Sequence, residues 1–246
     1  MCGRFTNLYR WRDLVRLMRL AYPDEQLTPQ YNVAPTQSAP VIRATEPGVH
    51  ASEPQGLLMK WGLVPSWATD PSVGVRSFNA RSETVSEKPT FRAAFRQRRC
   101  LVPISGFYEW KVLSPREKQP YWIGRRDRQP FTLAGLWEHW SGPNSGAGTA
   151  AAAAPLETFT ILTTTPNSLM KPLHDRMPVI LHAADRERWL APGELDPSEA
   201  SRLFQPTDDA DFESYPVSKR VGDARAQGPD LMEPVAERGP DQGLLF

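Results

Sequence analysis

Cysteine is scarce in this sequence, which has two, Cys2 and Cys100, in 246 residues. Two thiols cannot build the framework of a disulfide-stapled domain. No CxxC or HExxH pattern occurs. The usual zinc ligand sets are therefore missing, and a protein without metal or other cofactor is expected. Long apolar runs are missing too. No stretch of 18 apolar residues occurs, and no charged-then-apolar segment opens the chain, so a soluble, cytoplasmic protein with no membrane partner is expected. Neither sign of charge dominates, with 29 Lys+Arg against 28 Asp+Glu. That excludes a uniformly basic coat. The distribution is uneven, however: residues 1–111 hold 15 Lys/Arg against 9 Asp/Glu, and the remainder holds 14 against 19. Such asymmetry fits a local anion-binding face.

Proline and tryptophan, by contrast, are plentiful at 25 and 8, which suggests many turns and short strands. Apolar runs at 39–44, 56–64, 100–104, 107–112, 121–124, 131–137 and 159–163 are bounded by Gly, Pro and charged turns, as strands are. Helical spacing predicts an amphipathic helix over 8–20, with Trp11, Leu14, Val15 and Met18 on one side and Pro23 closing it. Further helices are predicted over 88–98, 185–190 and 198–204. The expected fold is α+β: one compact domain over 2–233, with a strongly bent, barrel-like, mainly antiparallel sheet flanked by short helices. Residues 141–155, rich in Gly and Ala, are expected to form a flexible loop insertion, and 234–246 a disordered tail. A monomer is expected.

Position 2 carries the chemistry. If Met1 is trimmed, Cys2 presents an α-amine and a thiol on adjacent carbons. The amine, with a pKa of about 7.7–8.0, is partly neutral at pH 7. The thiol is nucleophilic even as a small thiolate fraction. Together they can attack an aldehyde twice, the amine forming a Schiff base that sulfur closes to a five-membered thiazolidine. A lysine or an internal cysteine cannot do this.

Five further motifs accompany Cys2-Gly3-Arg4: Tyr31-Asn32-Val33-Ala34-Pro35, Met59–Trp67, Phe78–Thr84, Gly106-Phe107-Tyr108-Glu109-Trp110 and His174-Asp175-Arg176-Met177-Pro178. In this order they resemble the SRAP family, the SOS response-associated peptidases or abasic-site processing proteins, from Cys2 to about Glu233. The resemblance implies a DNA-damage function, in which abasic sites in single-stranded DNA are shielded by crosslinking to the N-terminal cysteine. An open abasic sugar is an aldehyde, the electrophile that an N-terminal aminothiol suits.

The resemblance also implies roles. Cys2, Asn79, Glu109 and His174 are the catalytic set. Asn79 orients Cys2 and the sugar, Glu109 assists proton transfer, and His174 protonates the sugar ring oxygen and influences reversal. The residues are consistent with this. Glu109 lies among Phe107, Tyr108 and Trp110, where burial raises a carboxyl pKa. His174, with a pKa near 6.5, is a natural shuttle, whereas His50, His139 and His182 lie in less telling contexts. Asp175 and Arg176 pair with each other or serve the site. The DNA-binding set is Arg4, Asn32, Pro35, Trp67, Arg81 and Thr163. Arginine grips phosphate bidentately, and Trp67 with the 32–35 loop forms a stacking wedge. Arg92, Arg96 and Arg99 form a basic face that either follows the DNA backbone or is solvated. Cys100 is expected to be a buried structural thiol.

The expected activity is therefore covalent, lyase-type capture of abasic sites, with self-removal of Met1 shared with peptidases. Two alternatives stand beside it: an N-terminal-nucleophile cysteine peptidase or amidase, and a non-covalent reader of damaged or modified DNA. At the end of the sequence, Gln242, Leu244, Leu245 and Phe246 resemble a bacterial sliding-clamp-binding peptide. A bacterial host would place the protein at the nucleoid.

Overall fold

The computed structural model describes residues 2–21, 26–44, 53–142, 155–191 and 193–236. In chain order its strands are β1 (Arg4–Asn7), β2 (Gln30–Val33), β3 (Ser38–Arg43), β4 (Gln55–Trp61), β5 (Asn79–Arg81), β6 (Arg99–Ile104), β7 (Gly106–Ser114), β8 (Glu117–Arg125), β9 (Phe131–Trp140), β10 (Leu156–Thr164), β11 (Met177–Pro178), β12 (Ile180–Leu181) and β13 (Phe212–Pro216). The helices are α1 (Trp11–Met18), α2 (Arg92–Gln97), α3 (Arg186–Leu190) and α4 (Pro197–Leu203).

Five strands close into a barrel. β3 pairs antiparallel with β4 and with β6, β6 with β9, and β9 with β10, and the parallel β10–β4 pair completes the ring. A second, wholly antiparallel sheet runs β13-β8-β7-β1-β2. Its inner face, with Phe5, Phe107 and Ile123, shares one core with Trp61, Val102 and Phe159 of the barrel. The barrel's outer face is covered by helices: Ile42, Leu101 and Leu136 pack with Leu14, Phe95 and Trp189. Strands such as β6 are buried on both faces, so they read as continuous apolar runs rather than alternating ones. The strongly bent, mainly antiparallel sheet with short flanking helices is what the sequence predicted.

Trp61 is the centrepiece of the shared core. It is fully buried, packs on Phe5 at 5.0 Å, stacks with Phe159 at 6.2 Å and meets Phe78 edge-on at 6.0 Å. Burying a side chain of this size stabilises the fold by about 1.5–3 kcal/mol or more. Its indole N–H also donates to the Phe78 carbonyl at 2.8 Å, which fixes the strand that leads to Asn79.

Two helices are shorter than predicted. α1 ends at Met18 because Arg19 adopts a left-handed conformation (φ 52°), several residues before Pro23. α2 begins at Arg92 rather than at residue 88, since Pro89 disfavours helical geometry at Lys88 and residues 89–91 form turns. Most of the 141–155 segment and the 242–246 peptide lie outside the described residues, as does His50. No helix among the described residues is long and apolar enough to cross a membrane.

Candidate active site

Strand register brings the start of the chain to Glu109. β1 runs antiparallel to β7 with Arg4 opposite Tyr108 and Phe5 opposite Phe107. Continuing one step places Gly3 opposite Glu109. Cys2 is fully buried at the edge of the shared core. Burial pushes its thiol pKa up to about 12, and the nearby Glu109 carboxylate adds to the rise.

Asn79 comes from β5, which joins the barrel sheet by parallel pairing with β10 (Ile161 opposite Asn79). Its Nδ2–H donates to the Cys2 carbonyl at 2.7 Å. Its Oδ1 is buried with no hydrogen-bond partner among the described residues. A buried acceptor of this kind is uncommon, and here it sits beside the nucleophile.

Glu109 is 4 % exposed. Burial raises its carboxyl pKa above the usual value of 4.5, and attraction to His174 opposes the rise. His174 closes the other side. Its Nδ1 accepts from the Arg176 backbone N–H at 3.0 Å and lies 2.7 Å from an Asp175 carboxylate oxygen. Gly3, Phe78, Glu109, Trp110, Leu173 and His174 line one cleft of about 520 Å³.

The turn bearing His174 is held by Arg176. Its guanidinium pairs bidentately with Glu83 and donates to the Thr163 carbonyl. Asp175 and Arg176 thus do not pair with each other: Asp175 serves His174, and Arg176 ties its turn to the barrel.

The expected nucleic-acid residues divide into two groups. Trp67 is 65 % exposed, Arg81 is exposed and Pro35 half-buried. Trp67 follows a close backbone approach in which Gly62 (φ 129°) faces Gly74. A Cβ on either would come within 2.6 Å of the other's carbonyl oxygen. Thr36, next to Pro35, has φ 75°, strained for a β-branched residue, and joins Lys60 and Asp70 in a groove of about 280 Å³.

Asn32, Thr163 and Arg4 have inward tasks instead. Asn32 is fully buried, and its amide donates to the carbonyls of Val221, Asp223 and Ala226, so it is no wedge. Thr163 is fully buried beneath Arg176 and Ala80 and has no surface to offer DNA. The Arg4 guanidinium donates to Asn32 Oδ1 at 2.9 Å and to the carbonyls of Val221 at 2.6 Å and Gly222 at 3.0 Å. With Asn32, it clamps the 221–226 segment against β1 and β2. The basic face over 92–99 also dissolves: Arg99 is buried, Arg96 pairs with Glu194, and Arg92 is exposed. Cys100 is fully buried, as expected. Three lining residues escaped the sequence reading, Val112, Leu173 and Lys118. The two-residue turn between β7 and β8 sets Lys118 opposite Val112, a register that hairpin spacing could have suggested.

A barrel with an appended antiparallel sheet defines a fold already represented among solved structures. A crystal structure of a protein from Bacteroides thetaiotaomicron superposes with a TM-score of 0.80 at 26% identity, covering 96% of this chain and 100% of that one. The sequence profile of the SOS response associated peptidase (SRAP) family matches residues 1–224, and the chain belongs to that family. It is 40% identical to the abasic site processing protein YoqW of Bacillus subtilis (strain 168), over 95% of this chain and 99% of that protein. It is 31% identical to the abasic site processing protein HMCES of Xenopus tropicalis, over 88% of this chain and 70% of that protein.

Proposed function

We propose that this protein processes abasic sites in single-stranded DNA, capturing the opened sugar covalently on Cys2 once Met1 has been removed. The observation that carries the reading is the convergence of four separate motifs: Asn79 donates to the Cys2 carbonyl, the Glu109 charge acts on the Cys2 thiol, and Glu109 and His174 line one cleft with Gly3, the neighbour of Cys2. Relatives named for abasic-site processing, one of them 40% identical, support the same substrate.

The chemistry follows from the groups present. His174 Nε2 donates a proton to the sugar ring oxygen, opening the ring to the aldehyde. The freed Cys2 amine attacks the aldehyde carbon, the carbonyl oxygen leaves as water, and a C=N bond joins protein to sugar. The Cys2 thiol then adds to the same carbon. The imine reacts in its protonated form, having taken a proton from solvent: a C–S bond forms, the C=N π electrons return to nitrogen as the lone pair of a neutral amine, and the thiol proton passes to Glu109. Nothing is oxidised or reduced. A carboxyl whose pKa is raised by burial holds that proton and can return it when the ring reopens. Asn79 fixes the Cys2 backbone through its Nδ2–H.

The family description also names a peptidase. A thiolate nucleophile needs a neighbouring cation or dipole to lower its pKa. At Cys2, burial and then the Glu109 carboxylate raise it, outweighing the lowering by the N-terminal charge and the Arg4 backbone N–H. This electrostatic setting favours attack led by the amine over thiolate attack on a peptide bond.

The test is a denaturing gel after mixing the protein with an abasic single-stranded oligonucleotide. A heat-resistant adduct is expected. Cys2→Ser should leave only a Schiff base trappable by borohydride, and retention of Met1 should block the adduct. A stable adduct with Cys2→Ser would remove the thiazolidine. Turnover of peptides with no adduct would replace the whole reading by the peptidase.

A further inference from the structure

Resting on the reading of the cleft as a site for single-stranded DNA, we propose that the tip of the β7–β8 hairpin is a second nucleic-acid arm. In it, Arg116 and Lys118 grip the phosphates on one side of the lesion while Val112 and Leu113 pack against the adjoining nucleotides. No residue of this hairpin beyond Trp110 belongs to the recognised motifs.

The first support is architectural. β7 and β8 pair from Gly106–Gly124 out to Ser114–Glu117, with Pro115 and Arg116 forming the turn. β1 covers β7 only at 106–108, and β13 covers β8 only at 121–125. Beyond these points the 217–219 segment lies along β8, with the Val217 N–H donating to the Pro120 carbonyl at 2.9 Å and Lys219 pairing with Glu117 at 2.7 Å, while 112–116 and Lys118 at the tip are exposed. A register shift between Val112 and Ser114 marks a bulge, a device that re-aims strands next to functional sites.

The second support is continuity with the cleft. Val112 and Lys118 are cross-strand partners, and both line the cavity that holds Glu109 and His174. On the barrel side the cavity is lined by Phe78, the residue before β5, and the exposed Arg81 ends that strand. The hairpin stands on the other side, through the second sheet. A strand whose abasic sugar reaches Cys2 continues in two directions, and the two walls offer one cationic surface to each.

The third support is the chemistry of the tip. Val112 is 61 % and Leu113 37 % exposed, adjacent aliphatic side chains left in water. Glu117, the acid of the turn region, is paired with Lys219 at 2.7 Å, so its charge does not offset Arg116 and Lys118. Cations beside an apolar surface suit single-stranded nucleic acid, where a basic track follows the backbone and apolar or aromatic groups meet the bases.

The test measures non-covalent binding as a function of salt, with undamaged oligonucleotides and with oligonucleotides carrying a tetrahydrofuran abasic analogue that has no aldehyde. For Arg116→Ser/Lys118→Ser, the expected result is an affinity about tenfold lower at low salt. The salt slope should fall by about 0.7 for each phosphate that is no longer neutralised. Val112→Ser/Leu113→Ser should lower affinity without changing the slope. Both variants should melt like the wild type, because the four side chains are exposed. Oligonucleotides with nucleotides only 5′ or only 3′ of the analogue should be affected unequally. Identical slopes and affinities for wild type and Arg116→Ser/Lys118→Ser would overturn the arm, and equal losses on both one-sided oligonucleotides would overturn its placement. Because binding is read without the aldehyde, absence of a covalent adduct in the wild type would sink the proposed reaction while leaving the arm standing.

Discussion

Two buried charged side chains sit in opposite surroundings, and the contrast separates scaffold from site. Arg99, beneath the helices, is 3 % exposed. Its guanidinium donates to the carbonyls of Trp189 at 2.7 Å, Phe95 at 2.9 Å, Gly193 at 2.8 Å and Ala191. These are the acceptors that the ends of α2 and α3 leave over, and a cation there also meets the negative end of each helix. Burial, then repulsion from Arg188, lowers its pKa to about 10, yet it stays charged at neutral pH. Glu109, in the cleft, is as deeply buried but lies among aromatic neighbours, and its pKa rises. One charge is used up by the fold. The other, which accepts from the Trp110 N–H at 3.2 Å and is attracted to His174, exchanges a proton in the proposed reaction.

The largest expected effect tests that readiness. Glu109→Gln should slow adduct formation by about 10²–10⁴-fold, the usual range for a general acid–base group, measured by gel time courses. Its stability should change in the reverse direction. Below pH 4.5 the carboxyl is protonated folded or unfolded, so variant and wild type should melt alike. As pH rises from 4.5 towards the raised folded pKa, the unfolded carboxyl ionises while the folded one keeps its proton, so the wild type loses stability that the amide keeps. The variant's Tm advantage should therefore appear above pH 4.5 and level off beyond the folded pKa. A Tm gap independent of pH would break the contrast on the Glu109 side.

Arg99→Met tests the other half. Orphaning several buried carbonyls costs about 1–3 kcal/mol each before relaxation, so a loss of about 3 kcal/mol or more is expected in denaturant unfolding. Below its melting range the variant should crosslink at the wild-type rate. Slow crosslinking by a folded Arg99→Met would show that the helical side reaches the chemistry.

Smaller effects refine the boundary between the regions. Trp67→Ala should weaken single-strand binding by about 1–3 kcal/mol, the worth of one stacked base, with an unchanged Tm because the indole is 65 % exposed. Thr163→Val should do the converse. Losing a 3.4 Å hydrogen bond to the Ala80 carbonyl should cost about 1 kcal/mol of stability and leave DNA affinity unaltered. A fall in affinity without loss of stability would return Thr163 to the interface.

Much of this architecture is legible in the sequence. Strands buried on both faces, such as β6 and β10, announce themselves as apolar runs. β1, β2 and β13 escape such a reading because they are short and mix apolar with polar residues: Arg4-Phe5-Thr6-Asn7 has no run to detect. The same limit applies to the side chains. Glu109 and Asn79 can be picked out from their motifs, since a carboxylate between aromatics and an amide at a strand end carry local signals. Asn32, Thr163, Arg4 and Arg99 cannot be sorted from surface binders, because their partners lie at 221–226, at Arg176 and at the end of α3, far away in sequence.

The sequence by itself determined the residue types and motif order that mark the family, the bent mainly antiparallel sheet, and the aminothiol that removal of Met1 would expose. Tertiary structure alone decided which polar groups face inward and which remain for a ligand. The reason is physical. A buried hydrogen-bonding group must find a partner, and whether that partner is the protein's own backbone or an arriving substrate depends on which distant segment the fold brings to it.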